Sequence, residues 1–570
     1  MHRFIALLFF QIITSQIFGQ NNYSFHPPVD IPMILSGNFG ELRADHFHSG
    51  IDIKTRGTIG HPVFSMEEGY VSRIKVQANG YGKSIYIDHP NGYTSVYGHL
   101  DRYREDIAAY VNEMQYKYRS HALDLYLKPG QFPIEKGALI AYSGNTGGSS
   151  GPHLHFEIRT SGNQHPTNVL QYGFPIEDNL APRFISLSLV PGDNSSHVNG
   201  TAEKLSVRTV RDNGIYTIPY GTVVRASGKV GISVEVFDYL NGASNRCGVY
   251  TLDLYVDGQK LYSHSMDEFS FSETRYVNAH IDYEELIRSG TKAHRLYRLP
   301  NDRLRIYKEL TEDGWIQIDK ERNYQLRIVA SDVGGNTATL EFQIRGDTVS
   351  SIQDKSGHLR GKLMPYQQLN RFETDEVSVE IPANALYQDL LFTYVQLPAD
   401  TQFQSGLHQI HDSGTPLHLP YSLAIKTTMT DPALRGKLLL VTYNEEHELE
   451  PAGGEFINGT VMASVTNFGM YAVALDTVSP EIIPDPATAK KDLSGAKIMK
   501  FLIRDTLSGI DQYNGYIDNQ WALFEYDPKN DLLTYTFDKK RLDAGSEHEL
   551  ELYVSDEKGN VNLYHTTFTW

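Results

Sequence analysis

The chain has 570 residues, too many for one hydrophobic core, and about 150 residues per domain suggests four units. A formal charge of −18 argues against nucleic acid and anionic membrane surfaces as partners. Tyrosine and glycine are plentiful (36 and 47), runs of helical period are few, and the pattern predicts a mainly β protein.

Residues 1–19 read as a signal peptide. His2 and Arg3 give a basic start, Phe4 to Phe18 is largely apolar, and Gly19 is a small residue at the cut. The apolar run, broken by Gln11 and Gln16, is short for a membrane span, and no later stretch approaches transmembrane length. Export is expected, to the periplasm or cell surface, with no lipid anchor because no cysteine stands near the cut. Cys247 is the only cysteine, so no intrachain disulfide is expected and the thiol belongs in a core.

Residues 20–180 hold the chemistry. In Phe47-His48-Ser49-Gly50-Ile51-Asp52-Ile53, a histidine and a carboxylate stand at i and i+4. Fully extended, they would lie roughly 13 Å apart, so they reach one ion only if the chain bends, which Gly50 permits. Short strands follow at Val63–Ser65 and Gly69–Ile74. Ser84–His89 alternates, Asn91-Gly92 makes a hairpin turn, and Tyr93–Tyr97 resumes the strand, with His99 just past it at the rim. His46 and His61 have the wrong spacing for the site, and His89 reads as a turn residue beside Pro90.

Between 103 and 118, Ile107, Tyr110, Val111, Met114 and Tyr118 recur at helical spacing. They predict an amphipathic helix that serves packing alone, the favoured reading, or that could narrow a groove, contact substrate or dock a neighbouring domain. A loop through His121 to Pro133 follows. The glycine- and serine-rich run Ser143–Ser150 reads as a tight loop before Gly151-Pro152-His153-Leu154-His155-Phe156-Glu157-Ile158-Arg159. There His153, His155 and Glu157 alternate with Leu154, Phe156 and Ile158, the pattern of a strand with one apolar face. Residues two apart on a strand are roughly 6.6 Å apart, so two such rings can converge on one ion or on an ion and its water. Two histidines and an aspartate form a three-ligand set that suits zinc with its fourth position left to water.

His48-x-x-x-Asp52, Tyr97-Gly98-His99-Leu100 and His153-Leu154-His155 resemble, in order and context, the lysostaphin-like (LytM-type) zinc endopeptidases of peptidoglycan. Arg43, Gly137–Ile140 and Ser143–Gly147 match the flanks, and the resemblance covers about residues 35–160. It implies an antiparallel β-sheet peptidase domain with His48, Asp52 and His155 as ligands of one zinc per chain. It makes His99 and His153 the catalytic histidines that do not bind the metal. His153 would take a proton from the attacking water and His99 would face the oxyanion, although spacing does not choose which is the base. The implied substrate is a peptidoglycan peptide, with the direct cross-link between D-alanine and a diamino acid favoured.

The remaining residues predict about three β-sandwiches. Region 181–347 opens at Ala181-Pro182, has a strand at Ile232–Val236 and closes on Asp332-Val333-Gly334-Gly335-Asn336. Region 477–570 repeats this grammar with Ser479-Pro480, Ile503-Arg504-Asp505 and Asp556-Glu557-Lys558-Gly559-Asn560. Both resemble bacterial immunoglobulin-like domains. Asp505, Asp556 and Asn560 have the chemistry for calcium, but turn formation accounts for them more cheaply. Region 348–476 is a third β unit of no recognised role. The β domains offer surfaces for an envelope protein partner. A non-catalytic or autoinhibited scaffold is the alternative to an active peptidase.

Overall fold

The computed structural model describes residues 24–347, 361–398, 401–443 and 448–570. The expected signal peptide lies outside the described residues. The fold is mainly β, as expected.

The first unit is built on an antiparallel sheet. Its strands are β1 (Leu35–Gly37), β2 (Ile51–Lys54), β3 (Gly69–Val76), β4 (Lys83–Asp88), β5 (Tyr93–Gly98), β6 (Leu123–Tyr126) and β7 (His153–Thr160). They lie side by side in the order β1-β2-β7-β5-β4-β3-β6. A smaller sheet of three strands, Pro62–Phe64, Leu139–Ser143 and Leu100–Tyr103, packs beside it. β7 sits between β2 and β5 because its alternation buries Leu154, Phe156 and Ile158 against Ile51, Ile53 and Tyr97. The other face of β7 then carries His153, His155 and Glu157. The predicted helix is α1 (Glu105–Tyr118), with Ile107, Val111 and Gln115 buried.

The second unit, 183–346, is one connected sheet of 13 strands curled around its own core. Val277–His280 and Tyr283–Ser289 add two short helices that the sequence reading did not foresee. The third unit packs two sheets of five strands face to face, and the last packs two of four. Cys247 is buried and unpaired.

The units pack on each other. Phe39, Leu42 and Phe47 of the first share a core with Met266, Phe269 and Tyr276 of the second. Asn38 adds a two-way bond to the Gly248 backbone, 2.7 Å in each direction. The last unit returns to the first at α1, where Tyr116 meets Trp521 edge-on at 5.3 Å and Arg541 lies 3.2 Å above the Tyr116 ring. Of the roles open to this helix, docking a domain, rather than packing alone, is the one these contacts show. Among the described residues no helix is long and apolar enough to cross a membrane.

Candidate active site

Strand register brings the distant motifs together. On β7, His155 lies directly opposite Asp52 on β2 and Gly98 on β5, and His153 lies opposite Lys54. His48 precedes β2, and the chain bends between it and Asp52 at Gly50. A Cβ at Gly50 would meet the Phe156 carbonyl oxygen at 2.3 Å, so only glycine lets the bend press against β7. His99 follows β5 with φ +58°, a left-handed conformation uncommon for histidine that ends the strand and turns its ring into the site.

His48, Asp52 and His155 are 2%, 6% and 3% exposed, and their polar atoms face one another. His48 Nε2 is 3.1 Å from both Asp52 Oδ1 and His155 Nδ1, and His155 Nδ1 is 2.9 Å from Asp52 Oδ1. The opposite edge of each group is committed. His48 Nδ1 donates to the Asn38 carbonyl at 2.7 Å, and His155 Nε2 donates to Glu157 Oε1 at 2.8 Å. Arg43 Nη2 donates to Asp52 Oδ2 at 2.7 Å. Fixed by acceptors behind them, both imidazoles, when neutral, present lone pairs to a carboxylate oxygen.

In that state three lone pairs face one another and repel, and a positive charge among them, a metal ion or a proton held on His155, removes the conflict. The electrostatics point the same way. Burial alone would keep His155 neutral, yet bonds to Asp52 and Glu157 outweigh it and hold the ring up to about 9. Burial opposes the Asp52 charge, but His48 and bonds from His153, His155 and His48 bring the carboxyl well below its usual range. Burial lowers His48. The donor set, two imidazole nitrogens and one carboxylate oxygen, fits zinc.

The remaining two predicted residues flank this group. His153 Nδ1 donates to the Gly151 carbonyl at 2.8 Å, and its Nε2 is 3.4 Å from Asp52 Oδ1. His99 Nδ1 donates to the Thr146 carbonyl at 2.8 Å, and its ring centre is 4.7 Å from that of His153. Burial, then the charges of His155 and His153, pushes His99 down to about 3. All five predicted positions thus converge.

Sequence reasoning did not single out the support behind His155. Glu157, fully buried, accepts from Tyr81 OH at 2.5 Å, Ser49 Oγ at 2.6 Å and, on Oε2, Arg159 Nε at 2.6 Å. Burial resists its charge, but Arg159 and His155 hold it far below the usual carboxylate range. Alternation along β7 was the available signal, since Glu157 shares the face of His153 and His155. His89 was expected in a turn. It opens the turn 89–92, whose Gly92 N–H donates to its carbonyl at 3.2 Å, and its ring, 5% exposed, also ties the Glu68 carbonyl to Ser95 Oγ. His121 is no part of the site, since its Nε2 bonds to the Tyr513 carbonyl of the last unit at 3.1 Å. Three other groups among the described residues gather possible metal-binding atoms: His264, His280 and His294; Asp178, Asp238 and Asp332; Asp476, Asp505 and Asp556.

The loop that holds His99 is itself held. Lys529 of the last unit donates to the Asn145 carbonyl and, at 3.2 Å, to that of Gly147, on either side of Thr146.

Comparison with known proteins supports the assignment of this segment. Residues 46–116 and 107–168 match the model for peptidase family M23, and residues 361–476 match the Zu5-like domain. An uncharacterized metalloprotease of Haemophilus influenzae is 33% identical over 115 residues, 20% of this chain and 19% of the relative. The peptidoglycan DD-endopeptidase ShyB of Vibrio cholerae is 31% identical over 135 residues, 24% of this chain and 25% of the relative. The solved structure of LytU is 31% identical and aligns with 23% of this chain and 77% of its own, at a TM-score of 0.17. The chain spans only a fifth to a quarter of the length of those two curated relatives. Through residues 46–168 the chain belongs to peptidase family M23.

Proposed function

We propose that the protein is an exported zinc metalloendopeptidase that hydrolyses peptide bonds in peptidoglycan stems or cross-links. The convergence of three potential donor atoms, His48 Nε2, Asp52 Oδ1 and His155 Nδ1, carries this reading. Zinc bound there would supply Lewis acidity, lowering the pKa of water towards neutrality and polarising the scissile carbonyl.

The chain's own residues supply proton transfer. His153 Nδ1–H is engaged by Gly151, so its Nε2 accepts a proton from the attacking water. Asp52 Oδ1, 3.4 Å away, stabilises the imidazolium until the proton passes to the leaving amine. His99 is fixed in the same tautomer and held neutral, so its Nε2 is an acceptor. Burial and the neighbouring histidines make His99 a poor proton acceptor, whereas Asp52 lies beside His153 Nε2, which favours His153 as the first base. Arg43 restrains Asp52 Oδ2 and leaves Oδ1 for the metal.

The name of the Vibrio relative, a peptidoglycan DD-endopeptidase, supports peptidoglycan as the substrate and a DD bond as the one cut, in keeping with the expected direct cross-link. The test is metal content and muropeptide digestion on one purified sample, beside His155→Ala. One zinc per chain and new amine ends, both lost in the variant, support the proposal. Absence of zinc from the wild type refutes it.

A further inference from the structure

A carboxylate taken out of water needs a positive partner, and one group in the second unit lacks it. Asp178 stands five residues before the start of the strand Arg183–Pro191. Asp238 follows the strand Val224–Phe237, and Asp332 follows Asn323–Ser331. Each offers an oxygen within 4.8 Å of the others. Asp238 is 2% exposed, and its Oδ1 has no hydrogen-bond partner. Burial, reinforced by the neighbouring carboxylates, pushes Asp238 up to about 8 and Asp178 up to about 6.

The last unit repeats the arrangement. Asp476 stands five residues before the start of Glu481–Pro484, Asp505 follows Ile498–Arg504, and Asp556 ends Glu547–Asp556. In both units the first residue of the opening strand pairs with the residue just before the central aspartate: Arg183 with Phe237, Glu481 with Arg504. In both, an asparagine four residues after the third aspartate braces the first. Asn336 Nδ2 reaches the Asp178 carbonyl at 3.3 Å and Asn560 Nδ2 the Asp476 carbonyl at 3.2 Å. Asp505 Oδ2 accepts from the Leu507 and Gly509 backbone, and its buried Oδ1 is left without a partner, as Asp238 Oδ1 is. Lys558, beside the second group, turns its Nζ to the Gly454 carbonyl at 2.7 Å.

We infer that Asp178, Asp238 and Asp332, and likewise Asp476, Asp505 and Asp556, each bind one calcium ion. The donors are all oxygen, which selects a hard cation, and three carboxylates with water can fill the six to eight positions calcium takes. Magnesium demands near-ideal octahedral geometry, which donors from three separate chain segments do not readily supply. Each site spans a junction: Asp178 precedes the second unit, and Asp476 immediately follows the strand Gly469–Leu475 that closes the third. Bound calcium would therefore tie the opening segment of each unit to the ends of two of its strands and stiffen the link to the preceding unit.

The experiment is isothermal titration of CaCl2 into the full chain after chelation, with magnesium as comparison. Two calcium ions per chain are expected for the wild type, and one for Asp238→Asn or Asp505→Asn. A second readout separates binding from packing. Without calcium, Asp238→Asn should melt no lower than wild type, because a neutral amide replaces a carboxyl whose ionised form burial and the neighbouring carboxylates already disfavour. Calcium should raise the wild-type melting temperature more than that of the variant. No calcium heat at millimolar concentration, unchanged stoichiometry in both variants, or equal binding of magnesium would overturn the inference.

Discussion

Replacing Glu157 by glutamine tests how far the site depends on the residue behind His155. The side chain is fully buried, and its carboxylate accepts from His155, Tyr81, Ser49 and Arg159. Glutamine keeps the shape but turns one acceptor into a donor. That amide must face either the Arg159 guanidinium or the three donors on Oε1. Arg159, 6% exposed, then loses its buried charge partner, and removing one partner of such a pair costs about 3–5 kcal/mol. For a unit of this size each kcal/mol lowers the melting temperature by about 2–4 °C, so the first unit should melt roughly 6–20 °C lower. His155 also loses the anion that makes its Nδ1 basic, and losing such a partner weakens metal binding about 10–100-fold. Competition with a chelator of known zinc affinity, beside a calorimetric melt, measures both. Unchanged zinc affinity together with a melting shift under about 2 °C would refute the reasoning.

His153→Ala and His99→Ala should each retain zinc and lose about 100- to 10,000-fold in muropeptide cleavage. His48→Ala should lose the metal, which parallel metal analysis of the three variants would show. Lys529→Met releases the carbonyls beside Thr146 and loosens His99. It should lower kcat roughly threefold to tenfold at constant zinc content. A faster enzyme would instead make this contact inhibitory. The buried His264, His280 and His294 predict acid sensitivity in the second unit. Burial drives His264 and His280 well below the usual range and His294 down to about 4, so the folded unit holds them neutral. Depressed histidines contribute stability above their unfolded pKa of about 6.5 and lose it as pH falls towards 4, by roughly 1.4 kcal/mol per pH unit each. Chemical denaturation at pH 7.5 and pH 5 checks this, and equal midpoints would exclude it.

Most of the site was legible because it lies on alternating strands. Period two on β7 placed His153 and His155 on one face, and the Gly50 bend between His48 and Asp52 followed from their separation alone. The β grammar of 181–347 and 477–570 was legible for the same reason, down to the paired Asp-x-x-Gly-Asn turns. Contacts made by surfaces far apart in the chain were not legible. Nothing local to Phe39 or Phe47 says that they pack on Phe269, and nothing near Lys529 names Asn145. Glu157 was visible as a position, but its role depends on Arg159, Tyr81 and Ser49 meeting it across strands. Calcium chemistry was weighed on the last unit alone, where turn formation sufficed. The buried oxygen of Asp238 changes that balance, and only tertiary structure shows it.

The shared core of Phe39, Leu42 and Phe47 with Met266, Phe269 and Tyr276 sets a limit on transplantation. His48 is the residue immediately after Phe47, and its ring is oriented by the carbonyl of Asn38, whose side chain is bound to Gly248. Excising residues 24–180 as a stand-alone unit would expose those three apolar side chains and free the segment that aims the His48 ring at Asp52 and His155. A minimal active fragment must extend through the second unit, or carry polar replacements at Phe39, Leu42 and Phe47. In this chain the unit of inheritance for catalysis is therefore larger than the peptidase segment that bears the motifs.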